Sequence, residues 1–198
     1  ESYPSNQSPD ELNYSTESSK YYSVSLLNSI NLKTAIEIDS LDVIHNGHLD
    51  LESNSSLTVL LDSNIYEGSI NNQGIFNSSN LFIENGTFEN HNNSTFENIV
   101  HITKGSLLNN GSISATTIET YETNISGNGT FKSDIFLNNG TINPGEANHK
   151  IGTLTFNSNL INNGKIEIDV ETSGNSDLIT ADKFTIGGKL LFNPTSNF

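Results

Sequence analysis

The stretch Asn138–Phe192 reads NNGTINPGEANHKIGTLTFNSNLINNGKIEIDVETSGNSDLITADKFTIGGKLLF, and its internal echo decides the fold. Asn138-Asn139-Gly140 introduces Thr141-Ile142, and Asn162-Asn163-Gly164 introduces Lys165-Ile166-Glu167-Ile168. Gly187-Gly188 then introduces Lys189-Leu190-Leu191-Phe192. From Gly140 to Gly164 is 24 residues, and from Gly164 to Gly188 is again 24. A fixed period that joins a turn to a short alternating strand is the signature of a solenoid, in which each unit buries its inner face only against its neighbours.

Working upstream, related turns return. They are His45-Asn46-Gly47, Asn72-Gln73-Gly74, Glu84-Asn85-Gly86, Asn109-Asn110-Gly111 and Gly127-Asn128-Gly129. Asn92-Asn93-Ser94 reads as a degenerate copy with Ser94 in place of glycine. Most glycine steps lie near 24 residues or half of it, which predicts coils of about two dozen residues, some with two such turns. Between turns stand short β-type runs such as Leu57-Thr58-Val59-Leu60 and Ile99-Val100-His101-Ile102, and helical spacing is interrupted by Gly and Asn. An Asn-Gly pair also favours two-residue hairpins, so a meander or sandwich is the competing architecture. The near-identical turns favour an all-β, single-stranded right-handed parallel β-helix. Its expected inward residues are Ile142, Leu154, Phe156, Ile166, Ile168 and Ile179, with stacked asparagines forming amide ladders at the turns. Residues 1–20, with two prolines and many serines, read as a flexible arm or cap, residues 21–137 as β-helix coils, and residues 138–198 as a C-terminal set of coils.

Composition narrows the function. Only 33% of the 198 residues are hydrophobic and the formal net charge is −15, with eight lysines and no arginine. Nucleic acid and anionic membrane are disfavoured partners, because both need a basic patch. No apolar run approaches a helical membrane span. Cysteine is absent, so neither a disulfide nor a thiolate is available.

The C-terminal stretch resembles the passenger domain of Gram-negative autotransporters, the β-helix type of type V secretion. The resemblance lies in Gly140-Thr141-Ile142-Asn143-Pro144-Gly145, Gly152-Thr153-Leu154-Thr155-Phe156, Lys165–Val170, Ser176-Asp177-Leu178-Ile179 and Phe184–Leu190. The chain departs from the family pattern at Lys150-Ile151 and Asp182. The structural motif residues it singles out are Gly140, Pro144, Gly145, Gly152, Leu154, Asp177, Gly187 and Gly188. What the resemblance implies is a cell-surface or secreted β-helix of a Gram-negative bacterium, with a C-terminal membrane barrel missing from this chain. It implies an adhesin or interaction stalk whose last coils assist folding during export, so that recognition belongs upstream, between His45 and Phe131. The expected partner is a protein or glycan of a host cell or bacterial surface, with self-association as a further option.

Two other functions compete: a scaffold or toxin-associated segment of a larger secreted protein, and a polysaccharide-cleaving β-helix. The carboxylates open to the latter are Asp134, Asp169, Asp177 and Asp182, but eight scattered lysines make an anionic-substrate site hard to build. Asp177 reads more simply as a turn residue making local hydrogen bonds. His45, His48, His91, His101 and His149 give no metal-ligand spacing beyond the His45/His48 pair, which reads as solvated turn histidines. The expectation is therefore a non-catalytic protein with no cofactor and no metal.

Overall fold

The structure is a computed structural model that describes residues 22–146 and 150–194, so the arm at 1–20 and His149 lie outside the described residues. Seventeen strands follow one another: β1 (Ser23–Leu26), β2 (Ser29–Leu32), β3 (Ala35–Ile38), β4 (Ser40–Ile44), β5 (His48–Leu51), β6 (Ser56–Tyr66), β7 (Ser69–Asn72), β8 (Ile75–Asn90) and β9 (Asn93–Phe96). The order continues with β10 (Ile99–Asn109), β11 (Ser112–Ser114), β12 (Thr117–Ser126), β13 (Thr130–Ile142), β14 (Thr153–Asn162), β15 (Lys165–Val170), β16 (Leu178–Ile186) and β17 (Lys189–Pro194). All belong to one sheet, and every strand-to-strand ladder is parallel, so hairpins are not its building unit. The chain is a single-stranded parallel β-helix.

The sheet wraps into three faces, read from the ladders. On face 1, Leu41, Ser63, Leu81, Val100, Ile118, Phe136, Leu160 and Phe184 stack in register. On face 2 the column is Ile30, Leu49, Ile70, Phe88, Leu107, Ile125, Ile142, Ile166 and Leu190. On face 3 it is Ile36, Leu57, Phe76, Ser94, Ile113, Phe131, Phe156 and Ala181. Long strands turn corners without leaving the ladder, and register shifts mark the bends between Val59 and Asp62, Lys132 and Ile135, and Phe156 and Asn159.

Coil length differs from the sequence reading. From Ile70 through Phe88, Leu107 and Ile125 to Ile142 the steps are 18, 19, 18 and 17 residues, and only from Ile142 through Ile166 to Leu190 are they 24 and 24. The 24-residue period thus belongs to the C-terminal coils alone. Upstream, the turn glycines form two lines at different corners, not one series. Gly47, Gly68, Gly86, Gly105, Gly140, Gly164 and Gly188 follow face 1, whereas Gly74, Gly111 and Gly129 follow face 2. Close approach fixes the first line: a Cβ on Gly164 would run into the carbonyl oxygen of Gly140, and one on Gly188 into that of Gly164. Ser94 is not a glycine substitute. It stacks between Phe76 and Ile113 inside the core, and Asn92 holds the glycine position.

Two phenylalanine clusters fill the interior. Phe76, Phe88 and Phe96 meet edge to face at 5.6–6.3 Å. Phe131, Phe136 and Phe156 meet at 4.8–5.1 Å. Burying each such ring contributes roughly 1.5–3 kcal/mol. Of the expected inward residues, Ile142, Leu154, Phe156 and Ile166 are fully buried, and Ile168 and Ile179 pack partly buried against the same core.

Amide ladders run through the stack. Asn72 donates to Asn90 and Asn90 to Asn109, each at 2.9 Å, at the corner after face 2. In the C-terminal coils the ladder moves to the corner after face 1, where Thr120 donates to Asn138 and Asn138 donates to Asn162 at 2.6 Å. These side chains are wholly buried, so each unmade bond would leave a desolvated amide at a cost of about 1–3 kcal/mol.

Outside, the stacking problem is charge. A parallel ladder places equivalent side chains about 4.8 Å apart, and like charges there repel. Asp42 accepts from Asn64, Asp50 from Asn71 and Asp62 from Asn80, each at 2.7–3.0 Å, so an amide rather than a second carboxylate follows each of these aspartates. An acidic chain is thereby accommodated in a stack.

Candidate functional site

The residues singled out at the C-terminal coils fall into two places. The 24-residue coils carry their extra residues at the corner after face 2, in the segments 143–152 and 171–177. There Gly145 (φ +88°) and Gly127 exchange both backbone hydrogen bonds, at 2.6 and 2.7 Å. A Cβ on Gly152 would collide with the Gly145 backbone. The Gly152 N–H donates to Asp177 Oδ1 at 2.8 Å, and the Asp169 N–H donates to Asp177 Oδ2 at 2.8 Å. Asp177 returns its own N–H to the Asp169 carbonyl, and Leu178 N–H donates to the Gly152 carbonyl. Pro144 is buried beside this cluster in sequence, and Leu154 enters the core two residues after Gly152.

Gly145, Gly152 and Asp177 are therefore one clasp that ties successive long coils together. Asp177 is 4% exposed, and its partners lie 25 and 8 residues away, so its bonds are not the local turn bonds expected of it. A carboxylate accepting charge-assisted bonds from two N–H groups holds both segments at fixed distance.

The second place is the corner after face 1. Gly140, Gly164 and Gly188 form the floor of an open groove of about 700 Å³ along several coils. Asn139 and Asn163 line one side, with Asn163 donating to Asn139 at 3.3 Å. Lys165, Lys189, Thr141 and Asn124 line the other, and Glu122 closes one end. A Cβ on Gly187 would sit 3.0 Å from Asn163 Oδ1, which keeps that rim free of a side chain.

A further groove of about 510 Å³ follows the corner after face 3, lined by Thr95, Glu97, Ser114, Thr116, Lys132, Ser133, Asp134 and Asn157 among others. Of the carboxylates considered for glycan chemistry, Asp134 is exposed on this groove, Asp182 is exposed on β16, and Asp169 and Asp177 are buried in the clasp. The four do not converge on one cleft.

The described histidines each meet a carboxylate rather than one another. His45 approaches Glu67 at 3.5 Å, His48 approaches Asp50 at 3.0 Å and Ser69 at 2.6 Å, His91 approaches Glu89 at 3.7 Å, and His101 approaches Glu119 at 3.3 Å. Among the described residues no group of three or more His, Cys, Asp or Glu side chains is placed to hold a metal ion. Glu171 titrates below the usual carboxylate range, because its carboxylate accepts hydrogen bonds from Ser173 and Asn175 at the tip of the 171–177 segment.

Compared with protein-family models, with curated proteins and with solved structures, the chain gives no match. Sequence reasoning located the clasp residues but missed Gly68, Gly105 and the lysines of the groove. Gly68 and Gly105 follow Glu67 and Lys104 instead of asparagine, so no Asn-Gly signal marks them.

Proposed function

We propose that this chain is a passenger-type β-helix of a Gram-negative autotransporter, exported to the cell surface or the medium, and that it acts as a non-catalytic adhesin or interaction stalk. The observation that carries the reading is the clasp. Motif blocks far apart in sequence (Pro144-Gly145, Gly152–Leu154 and Ser176-Asp177) meet at the junction of the long coils, as blocks with one shared structural task should. The absence of cysteine suits passage across a membrane as an extended chain. Contact would be multivalent, because the stack repeats its outer positions along an axis and each weak contact raises the effective concentration for the next.

Surface display of the chain fused to an outer-membrane barrel transporter tests this. Protease-accessible, folded chain on the cell exterior is expected, with display lost on deleting residues 138–198. Retention of the intact chain inside the cell, or display unaffected by that deletion, contradicts it.

A second reading, glycan cleavage, is favoured by Glu97, Lys132 and Asp134 sharing the groove after face 3. New reducing ends released from polyuronate by the wild type but not by Asp134→Asn would establish it in place of the first.

A further inference from the structure

Lys165 and Lys189 break the charge rule that the rest of the stack keeps. They are direct register partners on β15 and β17. Elsewhere in the described ladders charged residues face neutral or opposite partners. Asp42, Asp50 and Asp62 face asparagines, Glu84 faces Lys104, Lys132 faces Ser114 and Asn157, and Lys183 faces Asn159. Two ammonium stems one strand spacing apart, about 4.8 Å, repel each other. Glu167 pairs with Lys165 at 2.8 Å, and among the described residues Lys189 has no ion-pair partner. In a chain of 23 acidic and eight basic residues, this is an unusual place to put two of the eight.

Both lysines line the groove after face 1. Apart from the Glu122 carboxylate at one end, the rest of that lining is carboxamide, hydroxyl and bare backbone, with no aromatic or aliphatic side chain. Such a surface offers alternating donors and acceptors to hydroxyl groups and nothing to an apolar ligand. We propose that this groove binds an acidic glycan, with a sugar carboxylate bridging Lys165 and Lys189 and the sugar hydroxyls meeting Asn139, Asn163 and Thr141. A bound carboxylate would turn the mutual repulsion of the lysines into two charge-assisted contacts. Polyanions with a charge on every unit, such as nucleic acid, are disfavoured, because only two cations stand here on a molecule of net charge −15. The open groove leaves the contact exposed to screening, so binding weakens as salt rises. The proposal names a ligand class for the interaction-stalk reading and rests on it, with recognition on the C-terminal coils instead of upstream between His45 and Phe131.

The test is an NMR titration of the full chain with an oligogalacturonate, read at backbone amides. Shifts should concentrate at Gly140, Asn163, Gly164, Lys165, Gly188 and Lys189, and the fully methyl-esterified oligomer should produce none there. Lys189→Gln should bind about tenfold or more weakly, the loss of one charge-assisted contact. Lys33→Gln, a change at a lysine paired with Glu52 far upstream in the chain, should bind as the wild type does. Lys189→Gln should also melt no lower than wild type, because it removes a repulsion; a purely structural lysine would lower the melting temperature. Equal binding of the methyl ester, shifts confined to other residues, or undiminished binding by a Lys165→Gln/Lys189→Gln double variant overturns the proposal. Beads coated with the same preparations keep the two readings apart. Adhesion to cells without oligouronate binding defeats the groove alone, and loss of adhesion by the wild type defeats the stalk.

Discussion

The short coils upstream and the long coils from Asn138 onward solve the same problem differently. Both stack parallel strands around an aliphatic core, with one phenylalanine cluster inside the short coils and a second, Phe131, Phe136 and Phe156, spanning the junction to the long ones. In the short coils the corner after face 1 is turned by residues in the left-handed region, His45, Glu67, Asn85 and Glu122, which for non-glycine residues costs about 1–2 kcal/mol apiece. Their amide ladder, Asn72–Asn90–Asn109, supports the opposite corner. In the long coils the ladder itself turns the corner after face 1 through Asn138 and Asn162, where no residue at Asn139, Asn163 or Gly164 has positive φ. The other corner, lengthened by segments 143–152 and 171–177, is handed to the clasp of Gly145, Gly152 and Asp177. Longer coils thus exchange strained corners for an internal brace, and the asparagine ladder moves to the corner after face 1 at the same level of the stack.

The largest effect that sharpens this contrast is expected in the core. Leu154→Ala, a wholly buried truncation at the clasp, should cost about 2–5 kcal/mol in denaturant unfolding. A loss near that of a surface substitution would remove Leu154 from the core.

Gly164→Ala comes next. Its methyl group would press on the Gly140 carbonyl, and the backbone of neighbouring coils must part, a loss of roughly 1–3 kcal/mol by overpacking. Gly174→Ala provides the comparison, since nothing lies within 4 Å of a Cβ there and only its φ of +91° resists the change. Thermal melts that rank Gly174→Ala below Gly164→Ala would contradict close approach as the reason for the glycine line.

Asn90→Ala should unpair a buried ladder amide in the short coils for about 1–3 kcal/mol. The smallest effect concerns the tip of the clasp segment. Glu171 is held below the ordinary carboxylate range by Ser173 first and Asn175 second. A depressed folded-state value means that its contribution is present above the unfolded value and is lost as pH falls through the folded one. Ser173→Ala should raise the Glu171 midpoint in an NMR titration and leave the fold untouched; an unchanged midpoint would discard the hydrogen bond.

Much of this was legible in the residues. The spacing of Gly140, Gly164 and Gly188 gave the true period of the long coils, because there one glycine line coincides with one turn per coil, Asn-Asn-Gly at Gly140 and Gly164 and Gly-Gly at Gly188. Upstream the same signal misled. A turn glycine closely preceded by asparagine marks both the corner after face 1 at Gly47 (Asn46-Gly47) and the corner after face 2 at Gly74 (Asn72-Gln73-Gly74), so two interleaved series look like one irregular one. Ser94 follows Asn92-Asn93 and so reads as a turn residue, although it stacks inside the core between Phe76 and Ile113. Asp177 was identified as important, but its partners, 25 and 8 residues away, depend on a loop path that no local pattern encodes. The lysine pair was readable in principle, since Lys165 and Lys189 each follow a turn glycine at the 24-residue step; it emerges only when the period is used to align side chains rather than turns.

The division of the solenoid into two differently braced parts is tested most directly by native-state hydrogen exchange on Asp177→Ala. Loss of the carboxylate leaves the Gly152 and Asp169 N–H groups without their acceptor, so protection should fall across β14–β17 while β6–β10 exchange as in the wild type. Uniform loss along the whole stack, or unchanged protection of β14–β17, would contradict a clasp that braces the long coils alone.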